Sequence, residues 1–170
     1  ILCRGYKVDY RAAASNKRYY VCSEVDIEFI KEEILSVINY DYQQMMLQSV
    51  PDGDHQYGVG RLEKYKESED QFCVPVFPEL RYTNEIIKRL GMYRSRIMIM
   101  KNGCYSWHAD STPRIHIPII TDTDKCFMVV EDEVIRMPVS EDVYWVDTTR
   151  EHTFVNTSND YRVHIVGCVN

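Results

Sequence analysis

Residues 107–119 read Trp-His-Ala-Asp-Ser-Thr-Pro-Arg-Ile-His-Ile-Pro-Ile, and this stretch decides the predicted fold and site. On an extended backbone alternate side chains point to the same face, so His108 and Asp110 project together with Cα atoms roughly 6.6 Å apart. Two imidazoles and one carboxylate are a ligand set that suits non-haem Fe(II). The natural third ligand is His152, which follows a turn-like run at residues 147–151. An H-x-D triplet also arises often by chance, so its neighbours must decide whether it marks a metal site.

Four motifs taken together support the metal interpretation. They are the H-x-D triplet, R-x-H-I-P-I from Arg114, V-Y-W-V-D from Val143, and H-x-x-x-N-x-S-x-x-x-R-x-H-x-V from His152. As a set they resemble the 2-oxoglutarate-dependent Fe(II) oxygenases. The nearer likeness is to the aspartyl/asparaginyl β-hydroxylase-like branch, which also contains free-proline hydroxylases. The resemblance covers about residues 93–169, and the first 90 residues show no comparable match.

The resemblance implies a hydroxylase that uses Fe(II), O2 and 2-oxoglutarate as co-substrate, and that releases succinate and CO2. It implies that His108, Asp110 and His152 are the metal ligands and catalytic residues. Arg162 would then grip the far carboxylate of 2-oxoglutarate with two parallel hydrogen bonds. The local pattern agrees with this role, because Val163 marks a buried strand and a buried Arg requires an anion.

Other polar residues are candidates for the wall of the same cavity. Arg114 and His116 share one strand face, while the isoleucines between and after them face the other side. The resemblance places this pair at the cofactor and substrate cavity; the alternatives are a structural acid paired with Arg114 and a core role for His116. The remaining cofactor-site candidates are Ser95 and His164, with His164 expected to support Arg162 from behind. Arg96, next to Ser95 on the strand that leads to the H-x-D triplet, is a further candidate to reach the cavity. The expected aromatic walls are Tyr105, Trp107 and Trp145.

Composition limits the class of protein. At 170 residues the chain is expected to form a single oxygenase domain around one core, and its apolar fraction of 45% is ordinary for a globular protein. A net charge of -6 with interspersed signs argues against a nucleic-acid or membrane-surface binder, and no apolar run is long enough to span a bilayer. Six scattered cysteines without a C-x-x-C pair favour free thiols and a cytoplasmic location.

The first part of the chain, residues 1–92, is predicted to be a helical and loop support region. An edge strand is expected at residues 18–22, followed by an amphipathic helix from Ile27 to about Asn39, with Ser23 as N-cap and an optional continuation through Leu47. Residues 49–70 have the composition of a long loop, with an optional strand at residues 56–62. A second helix is predicted over residues 82–90, entered by Thr83 or Asn84.

The second part, residues 93–170, is predicted to carry the site on short strands. Strands separated by turns at intervals of 8 to 12 residues are typical of a sandwich or barrel. The economical arrangement is a mostly β fold with N-terminal helices, a double-stranded β-helix of the jelly-roll, cupin-like type, which the resemblance also implies.

The substrate and the oligomeric state stay open at this stage. Many members of the resembled branch have Gly in place of the acidic ligand, whereas this chain has Asp110, which moves it toward the three-ligand proline hydroxylases. A free amino acid and a peptide or protein side chain both fit a cavity that contains two arginines. The rival functions are a cupin-type metalloenzyme of another reaction class and a non-catalytic jelly-roll binding protein.

Overall fold

The structure is a computed structural model that describes residues 19–23 and 25–170, with the backbone alone for residues 19–23. The interpretations of residues 1–18, including Cys3, and of Glu24 lie outside the described residues. Within the described part, the expected edge strand is confirmed as β1, Tyr19–Ser23, at one edge of the larger sheet.

The first helix, α1, spans Ile27–Val37, and its N-cap is Asp26 rather than Ser23. The Asp26 carboxylate accepts a hydrogen bond from the backbone N–H of Phe29 at 3.1 Å, while Ser23 is the last residue of β1. A carboxylate suits this position because it meets the unpaired N–H groups at the positive end of the helix. The predicted cap was therefore wrong by three residues.

The helix also ends earlier than the longest prediction. Ile38 has an extended ψ of 135°, and the side chain of Asn39 accepts a hydrogen bond from the N–H of Asp41 at 2.9 Å. This local bond competes with helical pairing and begins a turn. Met45 and Met46 then lie in strand β2, Gln44–Met46, where both are buried, so the continuation of the helix through Leu47 was wrong.

The second helix, α2, spans Arg81–Arg89 and is confirmed to within a residue. Its N-terminus is not capped by Thr83 or Asn84, as the sequence suggested. Instead, the carboxylate of Glu33 on α1 accepts hydrogen bonds from the backbone N–H groups of Tyr82 at 3.1 Å and Thr83 at 2.7 Å. A contact 50 residues distant in the chain therefore satisfies the start of the helix.

Between the helices lies a long loop that includes 3₁₀ turns at Leu62–Lys64 and Glu69–Gln71. The optional strand at residues 56–62 does not form. Gly58 has a φ of +116°, and a Cβ at this position would lie 2.6 Å from the ring of the buried Phe72. The loop therefore packs tightly against the body of the protein and needs glycine at that point.

The remaining strands are antiparallel and form the predicted jelly roll. They are β3 Gln48–Ser49, β4 Val74–Pro75, β5 Tyr93–Met100, β6 Gly103–Cys104, β7 Arg114–Ile120, β8 Cys126–Val130, β9 Glu133–Ile135, β10 Asp142–Val146, β11 His152–Asn156 and β12 Arg162–Cys168. The larger sheet has the order β1-β10-β7-β12-β5-β2, the smaller one β6-β11-β8-β9, and β3 pairs with β4. Residues 101–102 connect β5 of the larger sheet to β6 of the smaller one.

Strand periodicity divides the larger sheet into two faces. Ile115, Ile117 and Ile165 belong to the apolar cluster that also contains the buried residues of α1 and α2. Arg114, His116 and Arg162 alternate with them and are buried on the other face, toward the smaller sheet. The helices thus cover one face, and the space between the two sheets receives the polar residues that the sequence analysis singled out.

Among residues 19–23 and 25–170, no helix is long and apolar enough to cross a membrane. The four cysteines whose side chains are described, Cys73, Cys104, Cys126 and Cys168, are free thiols.

Candidate metal centre and cavity

The backbone brings His108 and His152 together. They form an isolated antiparallel bridge in which the N–H of His108 donates to the carbonyl of His152 at 3.1 Å and the reverse bond measures 2.9 Å. The N–H of Asp110 donates to the carbonyl of Thr148 at 2.8 Å, which ties the H-x-D segment to the turn before β11. His108 and His152, 44 positions apart in the chain, are thereby fixed side by side by main-chain hydrogen bonds.

The three side chains converge as a metal site requires. Nε2 of His108 is 4.0 Å from Oδ1 of Asp110, and Nε2 of His152 is 3.7 Å from Oδ2 of Asp110. The ligand atoms all lie within 4.8 Å of one another, and among the described residues no other such group of three or more forms. An ion held by these three atoms would retain open coordination positions.

Hydrogen bonds select the nitrogen that each imidazole offers. Nδ1 of His108 is 2.7 Å from the carbonyl of Ser106, and Nδ1 of His152 is 2.9 Å from the carbonyl of Arg150. A carbonyl only accepts, so each Nδ1 carries the proton and each Nε2 presents its lone pair to the centre. Burial lowers the pKa of His152, which favours the neutral form that binds metal.

Asp110 is oriented by Arg114. Nε of Arg114 lies 3.3 Å from Oδ2 of Asp110, at ion-pair distance without the alignment of a hydrogen bond. The same guanidinium donates through Nη2 to Oε1 of Glu69 at 3.0 Å. Arg114 therefore lines the cavity as predicted, and it also has the structural acid that the alternative interpretation required.

Glu69, in the long loop, is the centre of a buried polar cluster. It accepts hydrogen bonds from Arg94 at 3.1 Å, Ser111 at 3.0 Å and Thr112 at 2.8 Å, in addition to Arg114. Burial alone would raise the pKa of this carboxyl, but the charge of Arg114 and the hydroxyl bonds outweigh it and lower the pKa to about 2. Glu69 is therefore ionised at neutral pH and holds both arginines.

A cavity of about 480 Å³, counting its open mouth, adjoins the three candidate ligands. Its polar lining includes Arg96, Arg114, His116, Thr148 and Arg162 together with the His108, Asp110 and His152 group. Its apolar lining is Met98, Met128, Phe154 and Val166, with Tyr105 at the side. The lining therefore places three arginines in the same cavity as the candidate metal ligands.

Arg162 is buried with 1% of its surface exposed, and its guanidinium has no acidic partner within 4.0 Å among the described residues. Burial lowers its pKa to about 9, and Nε has no hydrogen-bond partner. Its charged plane lies 3.7 Å from the ring centroid of Phe154. A buried cation in this state is stabilised by an anionic ligand, so the residue fits the predicted grip on a carboxylate.

His164 orients Arg162 from the same strand. Nη2 of Arg162 lies 2.6 Å from Nδ1 of His164. A guanidinium only donates, so Nδ1 accepts and the proton of this imidazole resides on Nε2. Burial, followed by the charge of Arg162, holds the pKa values of His164 and His116 well below the ordinary value. Both imidazoles are therefore neutral, and His116 lines the cavity while His164 lies behind Arg162.

The structure does not bring Ser95 to the cavity. Ser95 is fully buried on the face of β5 that it shares with Ile97, and its hydroxyl packs against Gly167, where an added Cβ would lie 2.6 Å away. Arg96, the next residue, projects to the opposite face and lines the cavity. Two aromatic walls were also misplaced, because Trp145 belongs to the helix-side core and Trp107 is 53% exposed.

Two important residues were missed by the sequence analysis. Phe154 follows His152 by two positions on β11, so strand alternation alone would have placed both on one face. Glu69 gave no comparable signal, because it is one of several acids in a charge-rich loop and its partners lie 25 and 45 positions away.

Solved structures confirm the fold. The chain is similar to a 2OG-Fe(II) oxygenase family oxidoreductase from Burkholderia pseudomallei, with 14% identity, 94% of this chain and 87% of that chain covered, and a TM-score of 0.54. It is also similar to a prolyl hydroxylase from Trichoplax adhaerens that was solved with a hypoxia-inducible-factor peptide fragment. The identity is 9%, the match covers 94% of this chain and 86% of that chain, and the TM-score is 0.54. For AviO1 from Streptomyces viridochromogenes the identity is 15%, the match covers 95% of this chain and 94% of that chain, and the TM-score is 0.53.

The family follows from sequence rather than from these distant structures. No curated protein matches the chain significantly. The family model for aspartyl/asparaginyl β-hydroxylase matches residues 28–169, which extends the predicted resemblance through both helices and the long loop. The chain belongs to the aspartyl/asparaginyl β-hydroxylase family, a branch of the 2-oxoglutarate/Fe(II) oxygenases.

Proposed function

We propose that the chain, acting as one oxygenase domain, hydroxylates a free amino acid or a peptide or protein side chain and releases succinate and CO2. The observation that carries the proposal is the occurrence of two complementary features in one cavity. His108, Asp110 and His152 offer three metal-ligating atoms, and Arg162 offers a buried cation without an acid. A bound diacid that also reaches the metal would satisfy both features.

The residues present fit Fe(II). The donor set is two neutral imidazoles and one carboxylate, and both Nε2 atoms are freed by Nδ1 bonds to carbonyl oxygens. In such a site Fe(II) supplies the activation of O2, coupled to decarboxylation of 2-oxoglutarate, for insertion of oxygen into a substrate C–H bond. Arg114 keeps Asp110 in place, and Glu69 keeps Arg114 in place.

Arg162 would bind the metal-distal carboxylate of 2-oxoglutarate. It lies on the floor of the cavity, where low dielectric strengthens a charge-assisted hydrogen bond. His164 accepts from Nη2 and fixes the plane of the guanidinium before the ligand arrives. Phe154 packs over that plane and limits the access of water to it. The site is thus preorganised for a planar carboxylate.

The exposure of the ligands favours a substrate that approaches through the mouth. The side chain of His108 is 44% exposed, whereas that of His152 is 6% exposed. The metal would therefore lie between a closed floor that binds the co-substrate and an open side that admits the substrate. An amino acid or one side chain of a peptide matches this opening, and the peptide-bound prolyl hydroxylase shows that the fold accepts a peptide.

A cupin-type metalloenzyme of another reaction class receives less support. Such sites usually add a fourth protein ligand, and the candidate group among the described residues has three members. A non-catalytic binding protein would have no need for the buried Arg162 beside the ligands.

Anaerobic absorbance tests the proposal directly. We expect Fe(II) and 2-oxoglutarate together to give a visible charge-transfer band with the wild-type protein, and His152→Ala to give none because the metal loses a ligand. The control is Arg81→Gln, an exposed position at the start of α2 on the helix side of the molecule. Absence of the band in the wild-type protein, or its retention in His152→Ala, would reject the function.

A further inference from the structure

The loop between β3 and β4, residues 50–73, contacts the segment that supplies two of the candidate metal ligands. Glu69, in the second 3₁₀ turn of this loop, accepts hydrogen bonds through Oε2 from the hydroxyls of Ser111 at 3.0 Å and Thr112 at 2.8 Å. These are the two residues that follow Asp110 in the chain. A loop residue 42 positions from Ser111 therefore fixes the backbone just beyond the H-x-D triplet.

The same carboxylate reaches Asp110 by a second route, through Arg114. Oε1 of Glu69 accepts from Nη2 of Arg114 at 3.0 Å, and Nε of Arg114 lies 3.3 Å from Oδ2 of Asp110. One guanidinium is thus shared between two carboxylates. Glu69 and Arg114 are 8% and 3% exposed, so their charges act on each other and on Asp110 with little screening by water.

The sharing of Arg114 matters for a metal ion beside Asp110. A carboxylate that is fully engaged by a guanidinium offers less negative charge to a metal, and an uncompensated cation nearby repels the metal. Glu69 offsets the charge of Arg114 and occupies part of its hydrogen-bonding capacity. It also lies 3.1 Å from Arg94 and offsets that second positive charge. Asp110 therefore stays available as an anionic ligand while Glu69 is in place.

Glu69 is in place only when the 50–73 loop is docked. The carbonyls of Gly58 and Gly60 accept from Nη2 of Arg94 at 2.9 and 2.8 Å, and the carbonyl of Phe72 accepts from the N–H of Arg94 at 2.7 Å. The ring of Phe72 is fully buried against Gly58. Since Glu69 lies in the chain between these anchor points, a loop that leaves Arg94 takes its carboxylate away from Arg114.

We propose that Glu69 is a positioning residue for metal binding, through which docking of the 50–73 loop and occupancy of the metal centre strengthen each other. The inference rests on one part of the proposed function, the assignment of His108, Asp110 and His152 as metal ligands. Linkage makes the effect reciprocal: if docking raises the metal affinity by some factor, bound metal raises the docking constant by the same factor. The loop is thus part of the metal centre although it supplies none of the three candidate ligands.

The affinity of the full chain for Fe(II) tests the first half of the proposal. It is measured anaerobically by competition with a coloured chelator, without 2-oxoglutarate, and circular dichroism establishes that each variant is folded. We expect Glu69→Gln to weaken Fe(II) binding by about tenfold or more, as is typical of outer-shell partners of metal ligands. Glu69→Asp keeps the charge and should lose less. Glu63→Gln, at an exposed position of the same loop, should change the affinity by less than about twofold.

A double variant separates positioning from a merely structural role. In the Glu69→Gln background, Arg114→Gln removes the cation that would otherwise engage Asp110 and repel the metal, while its amide still donates a hydrogen bond. We expect the double variant to bind Fe(II) about threefold or more tightly than Glu69→Gln alone. If Glu69 acted only on the stability of the fold, a second change in the same cluster would weaken the protein further and restore no affinity.

Proteolysis of the wild-type protein tests the second half and does not depend on any variant. Trypsin cleaves after Arg61, Lys64 and Lys66, which are exposed in the 50–73 loop, and after Arg136, which is exposed beyond β9. Cleavage of an element that opens rapidly tracks the population of its open form. Saturating Fe(II), added anaerobically, should slow cleavage in the loop by about fivefold or more and slow cleavage after Arg136 much less.

The outcomes distinguish this inference from the proposed function. Equal Fe(II) affinities of the wild type and Glu69→Gln overturn the inference, and so does equal slowing of trypsin at the loop and at Arg136. Failure of Arg114→Gln to restore affinity in the Glu69→Gln background also overturns it. A wild-type protein that binds no Fe(II) rejects the proposed function and the inference together.

Discussion

Arg94 and Arg96 stand two positions apart on one strand, yet among the described residues only Arg94 has a carboxylate within ion-pair distance. Around Arg94, the acid Glu69 satisfies the guanidinium, together with the carbonyls of Gly58 and Gly60. Around Arg96, and around Arg162 farther along the cavity, the described residues provide no acid. A buried arginine with its counter-ion is part of the framework, whereas a buried arginine without one marks the place of a ligand. The sequence shows the same residue type in both regions.

The largest effect is expected when the guanidinium of Arg162, which has no acidic partner among the described residues, is removed. We expect Arg162→Met to weaken 2-oxoglutarate binding by about 100- to 1000-fold, because a charge-assisted pair to a buried guanidinium is lost. Metal affinity should change less than threefold, since Arg162 contacts none of the three ligands. Anaerobic titration of the absorbance band and chelator competition measure the two affinities. An unchanged 2-oxoglutarate affinity would remove Arg162 from the site.

Removing the negative charge of Glu69, the partner of Arg94 and Arg114, should instead reduce the stability of the fold. Glu69→Gln leaves Arg94 and Arg114 buried without their counter-ion, and the lowering of the Glu69 pKa from 4.5 to about 2 corresponds to roughly 3 kcal/mol of unfolding free energy. Urea denaturation measures this loss. Glu63→Gln, at an exposed position of the same loop, should cost less than about 0.5 kcal/mol. Equal losses in the two variants would contradict the assigned role of Glu69.

Lowering the pH should reduce the difference in unfolding free energy between the wild-type protein and Glu69→Gln. The folded pKa of Glu69 is below its unfolded value, so its contribution is complete above about pH 5 and is lost as the pH falls toward 2. From these pKa values the difference in unfolding free energy should shrink by roughly 1 kcal/mol at pH 4 and roughly 2 kcal/mol at pH 3. Urea titrations at pH 7, 4 and 3 check the trend, and a constant difference would show that Glu69 is not the group responsible.

The smallest effect is expected at His164, which accepts a hydrogen bond from Arg162. His164→Ala should weaken 2-oxoglutarate about fivefold to tenfold, because Arg162 loses the acceptor that fixes its plane. His164→Asn should restore much of the affinity, since its side-chain oxygen accepts from nearly the same place. In the Arg162→Met background the loss of His164 should have no further effect on 2-oxoglutarate affinity. Additive losses would show that His164 acts independently of Arg162.

Part of the fold and site could be predicted because the relevant patterns are local. The alternation of Ile115 and Ile117 with Arg114 and His116 has a period of two, which assigned the faces of β7 before any partner strand was known. Spacing selected His108 and Asp110, the residue pattern added His152, and the resemblance to the oxygenases selected Arg162. The fold brings all four to one cavity. The errors occurred where a local turn or a distant carboxylate competed, as at Asn39 and at the start of α2.

The sequence by itself determined the residue types that converge on the site and the face of the strand on which most of them lie, because side-chain direction along a strand depends only on the backbone period. The tertiary structure decided which arginines are neutralised and which remain open, and it directed Arg96 rather than Ser95 into the cavity. That decision depends on Glu69, which reaches Arg94 and Arg114 across 25 and 45 positions of the chain. Electrostatic pairing acts through space, and the distance between two charges is fixed only when the chain has folded.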